Sequence, residues 1–172
     1  FIRRMMKQLI TEKQIDIRSK IVAKQINDKH RGDKTPVVFV GLLNGCFMFY
    51  SDFIKNITFD MECDFMRVKS YIGKKKQGDV EITKDLETSI KGKHVYIVDD
   101  IYDTGNTVQA VIRYLQVKNP SEISIVTLLK RNDSPVISNH YNVIEIADEW
   151  VIGYGLDNDN GYCRNYKTIY EI

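Results

Sequence analysis

Cysteine is scarce in this chain: Cys46, Cys63 and Cys163 are odd in number, far apart and without a C-x-x-C pair. That usage weighs against a disulfide framework or a zinc site and fits buried or incidental thiols in a reducing cytosol. A surplus of one charge is missing too. Lys plus Arg number 25 against 23 Asp plus Glu, a net charge of +2. No overall field therefore argues for nucleic acid or a membrane surface as partner, and anion specificity must come from local clusters. No run approaches the ~18 consecutive apolar residues of a spanning helix, and the N-terminal FIRRMMKQLI is too short in its apolar part for a secretory signal. The expected location is cytoplasmic.

What is present fits one globular domain over 1–172. With 172 residues, 43% of them apolar and 28% charged, the chain has the size to bury roughly 70% of its unfolded surface. No repeat, low-complexity tract or linker interrupts it. Thr11-Glu12-Lys13-Gln14 fits a capping box, and Ile15, Val22 and Ile26 follow at helical spacing, which predicts a first helix over about 12–29. VVFVGL after Pro36 is a continuous apolar, β-branched run, the mark of a strand covered on both faces. A helix follows it, with Cys46, Phe49, Tyr50, Phe53 and Ile54 on its apolar face. MECDFMRV reads as a strand, and KSYIGKKKQGD, with four lysines and two glycines, as a mobile solvated loop. HVYIVDD, EISIVTLL, Tyr141 to Ile146 and Trp150 to Gly153 read as further strands, with another in RNYKTIYEI. Val108, Val111, Ile112 and Leu115 form the stripe of a helix from near Gly105 to before Pro120. Strands alternating with helices predict an α/β fold, a mostly parallel sheet with helices on both faces and ligands outside the carboxyl ends of its strands.

One such end reads VYIVDDIYDTGNT, residues 95–107. Asp103-Thr104-Gly105-Asn106-Thr107 opens a helix, where unpaired N–H groups and the macrodipole offer a phosphate pocket. Asp99, Asp100 and Asp103 add three carboxylates to the same place. Spacing alone leaves two readings open. In one, Asp103 is a helix N-cap, Asp100 sits in a turn and Asp99 pairs with a lysine. In the other, the residues hold a polyhydroxylated, metal-bound phosphate ester. No G-x-x-x-x-G-K-[ST] occurs, and Gly153-Tyr154-Gly155 lacks the third glycine of a dinucleotide fingerprint. DNDNG is no calcium loop, since Gly161 comes one position early and Thr168 stands where the closing glutamate belongs.

VYIVDDIYDTGNT resembles the phosphoribosyl-pyrophosphate binding motif of the type I phosphoribosyltransferases. VGLLNGCFMFYSDF is similar to their pyrophosphate strand and loop, DFMRVKSYIG…GDV to their flexible lid, LLKR to their fifth strand, and IADEWVIGYGLDNDNGYCRN to their purine-binding hood. The ordered set covers roughly residues 9–172 and resembles the hypoxanthine-guanine phosphoribosyltransferases. The resemblance implies a central, mostly parallel sheet with a hood built largely from 132–172 plus N-terminal residues, and a lid over about 69–80. It implies transfer of 5-phosphoribosyl from phosphoribosyl pyrophosphate to hypoxanthine or guanine, with Mg2+.

The residues carried over follow from the same match. Thr104, Gly105, Asn106 and Thr107 would grip the 5-phosphate. Asp99 and Asp100 would face the ribose hydroxyls and magnesium, and Asp103 would be the base near purine nitrogen 7. Asn44, Gly45 and Arg164 would hold pyrophosphate. Ser70 and Tyr71 would close the lid. Lys130, Trp150 and Val151 would read the purine, with Asp157 near both purine and metal. Asn44 departs from the family's lysine and cannot supply a cation, so weaker pyrophosphate binding is expected. The fold would also suit a regulator that binds nucleotide or RNA, but such a protein could dispense with Asp103, Lys130 and the hood aromatic, all present here. Xanthine as preferred base is a further alternative. His30, His94 and His140 sit in polar or strand-edge contexts and receive no role. Family members are commonly homodimers or homotetramers, and Phe47, Phe49, Tyr50 and Phe53 could spare an aromatic for an interface.

Overall fold

The structure is a computed structural model and describes residues 6–70, 80–158 and 160–172, Ser70 by its backbone alone. Tyr71 and most of the expected lid lie outside the described residues.

The chain opens with β1 (Lys7–Ile10) and α1 (Glu12–Lys29). Thr11 caps α1 reciprocally: its hydroxyl accepts from the Gln14 amide at 3.2 Å while the Gln14 side chain accepts from the Thr11 amide at 2.9 Å. Two initial N–H groups are thereby satisfied, and the helix is fixed with Ile15, Val22, Ala23 and Ile26 buried. There follow β2 (Val37–Leu43), α2 (Phe47–Ile54), β3 (Glu62–Ser70), β4 (Val80–Lys84), β5 (His94–Tyr102), α3 (Asn106–Gln116), β6 (Glu122–Arg131), β7 (His140–Ile146), β8 (Val151–Ile152) and β9 (Ile169–Glu171).

Six strands form one sheet in the order β4-β3-β2-β5-β6-β7. All its pairings are parallel except the antiparallel β3–β4 edge. Alternate residues of β2 face opposite layers, as the strand period requires. Phe39 packs in the layer of α1 and α2 with Ile26, Phe49 and Phe53, while Val38 and Val40 pack with Val111 and Leu115 of α3. Burial on both faces explains why β2 and β5 are apolar almost without interruption.

The connection from β2 steps one way to β3, and that from β5 steps the other way to β6. The switch point therefore falls between β2 and β5, where the loops after their carboxyl ends part and leave a crevice. A second, three-stranded sheet, β1-β9-β8, is antiparallel and joins the two ends of the chain, Lys7 opposite Glu171. β1 and β4 are additions to the elements expected from sequence.

Candidate active site

The crevice is a cavity of about 380 Å³ lined by the loop after β2, the end of β5 and its turn into α3, and Asp157 and Arg164 from the C-terminal segment. Asp99 and Asp100 stand in its wall. The Asp100 amide donates to Asp99 Oδ1 at 3.0 Å and the Ile101 amide to Asp100 Oδ1 at 2.8 Å, just past the point where the pairing with β2 ends at Val98 while that with β6 runs on to Tyr102. Burial pushes the Asp99 carboxyl well above the usual range, and the neighbouring Asp100 charge pushes it further. Asp100 is also raised by burial, against the opposing pull of its hydrogen bonds and of Arg164. Asp99 thus faces another carboxylate, and among the described residues no lysine pairs with it.

The second half of the cavity is backbone. The residue that opens α3 is Gly105, in the left-handed region at φ 77°, and no side chain caps the helix there. Asp103 as N-cap is therefore corrected: it lies before the cap, its side chain 57% exposed. Asn106, Thr107 and Val108 of the first turn line the cavity, presenting a helix start to whatever anion enters. Gly105 is required twice over, by its φ and by Tyr102 beneath it, whose hydroxyl would lie 2.6 Å from any Cβ placed there.

The loop after β2 is pressed against the acidic pair. A Cβ at Gly45 would fall inside the Asp100 carboxylate, and one at Gly155 would fall on the Gly45 carbonyl oxygen. Three segments distant in sequence are thus stacked, and glycine at both positions is what allows it. The Leu43–Asn44 peptide is cis. Asn44 is exposed, and its carbonyl accepts from the Phe47 amide at 3.2 Å. Arg164 donates to the Gly155 carbonyl at 2.7 Å and pairs with Asp157 at 2.8 Å, which places a guanidinium on the far wall from α3.

Of the residues named from sequence, Gly45, Asp99, Asp100, Asp103, Thr104, Gly105, Asn106, Thr107, Asp157 and Arg164 meet in this cavity. Lys130 is one strand away, in register with Tyr102, its Nζ 3.7 Å from Glu145 and 3.5 Å from the Arg131 carbonyl. Val151 is buried in β8, whereas Trp150 is 56% exposed and so is not an ordinary core tryptophan. Ser70 ends β3.

Arg131 and Tyr102 contribute to the site without having been singled out. A buried arginine beside Lys130 would have been the signal, but its partners are distant carbonyls that leave no trace in sequence. The histidines also differ from expectation. His30 and His94 are buried, and the three bond Tyr96, Ser124 and Thr127, each at 2.8 Å. Their partners lie on other elements, so no local sequence pattern shows them.

Among the described residues no cluster of three or more His, Cys, Asp or Glu could hold a metal. The raised, mutually repelling Asp99–Asp100 pair nevertheless fits magnesium, which uses one or two carboxylates and completes its shell with water and substrate oxygens. A cation there would relieve the repulsion that the fold imposes.

A crevice at the switch point, divided between carboxylates and a helix start, is the arrangement that the resemblance to the type I phosphoribosyltransferases implies. The model for the phosphoribosyl transferase domain matches residues 6–159. The hypoxanthine phosphoribosyltransferase of Buchnera aphidicola subsp. Schizaphis graminum is 36% identical over 166 residues, 95% of this chain and 92% of the relative. The hypoxanthine-guanine phosphoribosyltransferase of Staphylococcus aureus is 40% identical over 164 residues, 94% of this chain and 88% of the relative. A crystal structure of a Staphylococcus aureus hypoxanthine phosphoribosyltransferase superposes with a TM-score of 0.89 at 37% identity, covering 96% of this chain and 90% of that one. The Trypanosoma cruzi hypoxanthine phosphoribosyltransferase in complex with the product IMP gives 0.87 at 33% identity, covering 96% and 93%. The chain belongs to the hypoxanthine phosphoribosyltransferase family, whose members are pentosyltransferases.

Proposed function

We propose that this enzyme transfers 5-phosphoribosyl from phosphoribosyl pyrophosphate to hypoxanthine, guanine or both, yielding IMP or GMP and pyrophosphate. The observation that carries the reading is the division of one cavity into an acidic wall, Asp99 and Asp100, and a helix start, Thr104 to Thr107, with Asp103 between them. A phosphorylated sugar needs both partners: hydroxyls donate to carboxylates, and the 5-phosphate accepts from amides.

As pyrophosphate leaves, positive charge develops on the ribosyl carbon, as in glycosyl transfer generally, and Asp99 and Asp100 favour it. Asp99 and Asp100 would hold magnesium, with Asp157 near it, and the ion would supply charge neutralisation for the departing pyrophosphate. The amides of Asn44 and Gly45 and the Arg164 guanidinium bind the pyrophosphate oxygens. Asn44 adds no cation, so pyrophosphate is held more weakly than by a lysine. Asp103 is the base for the proton at nitrogen 7. Lys130 donates to the 6-oxo group, Trp150 stacks on the purine, and the Val151 carbonyl reads its edge, the small C-terminal sheet and its loops serving as hood. The expected lid over about 69–80, with Ser70 and Tyr71, would exclude water from an activated donor, though Tyr71 and most of that stretch lie outside the described residues.

Assembly as a homodimer or homotetramer belongs to the same reading. Phe49, Tyr50 and Phe53 are buried, which leaves Phe47, 43% exposed, as the aromatic that α2 can offer a partner.

Initial rates with hypoxanthine, guanine, xanthine and uracil test the assignment. Specificity constants highest for hypoxanthine or guanine are expected. A preference for xanthine would correct the base, and salt-dependent RNA or DNA affinity without purine turnover would replace the enzyme with a regulator.

A further inference from the structure

Arg131, at the last position of β6, is 9% exposed. A buried guanidinium demands acceptors for its donors, and those present are specific. Nη1 donates to the Ala147 carbonyl at 2.9 Å and to the Glu149 carbonyl at 3.1 Å. Nε lies 3.5 Å from Asp103 Oδ1. The same Nη1 is 3.7 Å from Asp148, whose side chain is fully exposed, so that last contact adds little. The register of β6 against β7 sets Arg131 opposite Ile146, directly before the loop whose carbonyls it holds. That loop runs on into Trp150 and Val151.

One rigid fork therefore joins two parts of the site that no strand pairing connects. On one side is the carboxylate assigned as base. On the other is the segment that delivers the aromatic and the carbonyl assigned to the purine. We propose that Arg131 is a positioning residue that fixes the distance between Asp103 and the bound purine, so that proton transfer and base recognition stay in register. Arg131 touches neither substrate in this scheme and acts through Asp103 and the Ala147–Glu149 loop. The inference rests on the roles given above to Asp103 and Trp150.

The planar geometry is what matters. Lysine in its place keeps the charge but cannot serve two carbonyls and a carboxylate from fixed positions. Without the fork, two loop carbonyls lose a charged donor and Asp103 loses its tether. Hydrogen bonds to charged groups of this kind correspond to about tenfold to a hundredfold in an equilibrium or rate.

The test is steady-state kinetics of Arg131→Gln and Arg131→Lys in the full-length enzyme, with thermal denaturation of each. Both variants are expected to show a purine KM raised about tenfold and kcat lowered about tenfold or more, with the KM for phosphoribosyl pyrophosphate within about twofold of wild type. Arg131→Ala is expected to regain kcat when millimolar guanidinium is added, whereas added ammonium does not restore it. Equal increases in both KM values, or loss of activity that merely tracks a fall in melting temperature and is unresponsive to guanidinium, would reduce Arg131 to a structural arginine and overturn the proposal. Asp103→Asn and Trp150→Ala run in parallel separate the two levels. If those retain wild-type kinetics, the underlying assignment fails, and if they are impaired while Arg131→Lys is not, the positioning role alone fails.

Discussion

Asp99 and Asp100 are expensive residues for a folded chain to keep. Both carboxyls are raised by burial, Asp99 further by its neighbour, so each ionised group is less favourable in the fold than in the open chain. For an acid with a raised folded pKa, the folded state binds the extra proton, and stability is lost as pH rises through the window above the unfolded value. Asp100→Asn removes that penalty. It is expected to raise the melting temperature of the free protein by a few degrees while lowering kcat/KM for phosphoribosyl pyrophosphate by at least tenfold. Thermal scans and initial rates on one preparation check both, and a lower melting temperature would show that the Ile101 amide needs the carboxylate itself. Residue chemistry was the part most legible in the sequence. The acidic pair followed by D-T-G was readable because both halves of the motif are local. Arg131 was not, because its carbonyl acceptors at Ala147 and Glu149 are supplied by the loop after β7.

At the scale of elements, β2, β5 and β6 were readable from their largely apolar, β-branched runs, which burial on two faces favours. β1 escaped notice because its pairing partner is at the opposite end of the chain, Lys7 against Glu171. β4 alternates in burial, but it follows the lysine-rich stretch that hid its start. What no local pattern could convey is the stacking of the β2 loop, the end of β5 and the turn at Gly153-Tyr154-Gly155. The Gly155 φ of 102° and the closeness of the Gly45 carbonyl both exclude a side chain. Backbone strain of this kind costs about 1–3 kcal/mol. Gly155→Ala is therefore expected to lower the melting temperature by roughly 5 °C and to weaken pyrophosphate binding through the displaced Gly45. Calorimetry and product-inhibition constants read the two effects, and an unchanged inhibition constant would mean that the turn does not support the pyrophosphate loop.

For the whole molecule, the buried histidines set a response to pH. Desolvation pushes His94 and His140 down to about 4 and lowers His30 as well. A histidine held below its unfolded value of about 6.5 contributes stability that is complete above that pH and lost as pH falls toward 4, since the unfolded chain then binds the proton first. For His94 the loss between pH 7 and 4.5 is on the order of 2–3 kcal/mol. Asp99 and Asp100 act in the opposite sense, so the comparison must be between variants. His94→Gln is expected to be less stable than wild type at pH 7 and to lose less stability between pH 7 and 4.5 in urea titrations. Parallel pH slopes would show that His94 is not held neutral. Among the described residues no helix is long and apolar enough to cross a membrane.

The whole account turns on Asp103 at the boundary between the acidic wall and the helix start. General base help is typically worth ~10²–10⁴ in rate. Asp103→Asn, measured by turnover with saturating phosphoribosyl pyrophosphate and hypoxanthine and by the affinity for each, is the most direct test. The expected result is a kcat lower by about that factor, with both affinities within a few-fold of wild type. Wild-type turnover would contradict the account and remove Asp103 from the chemistry.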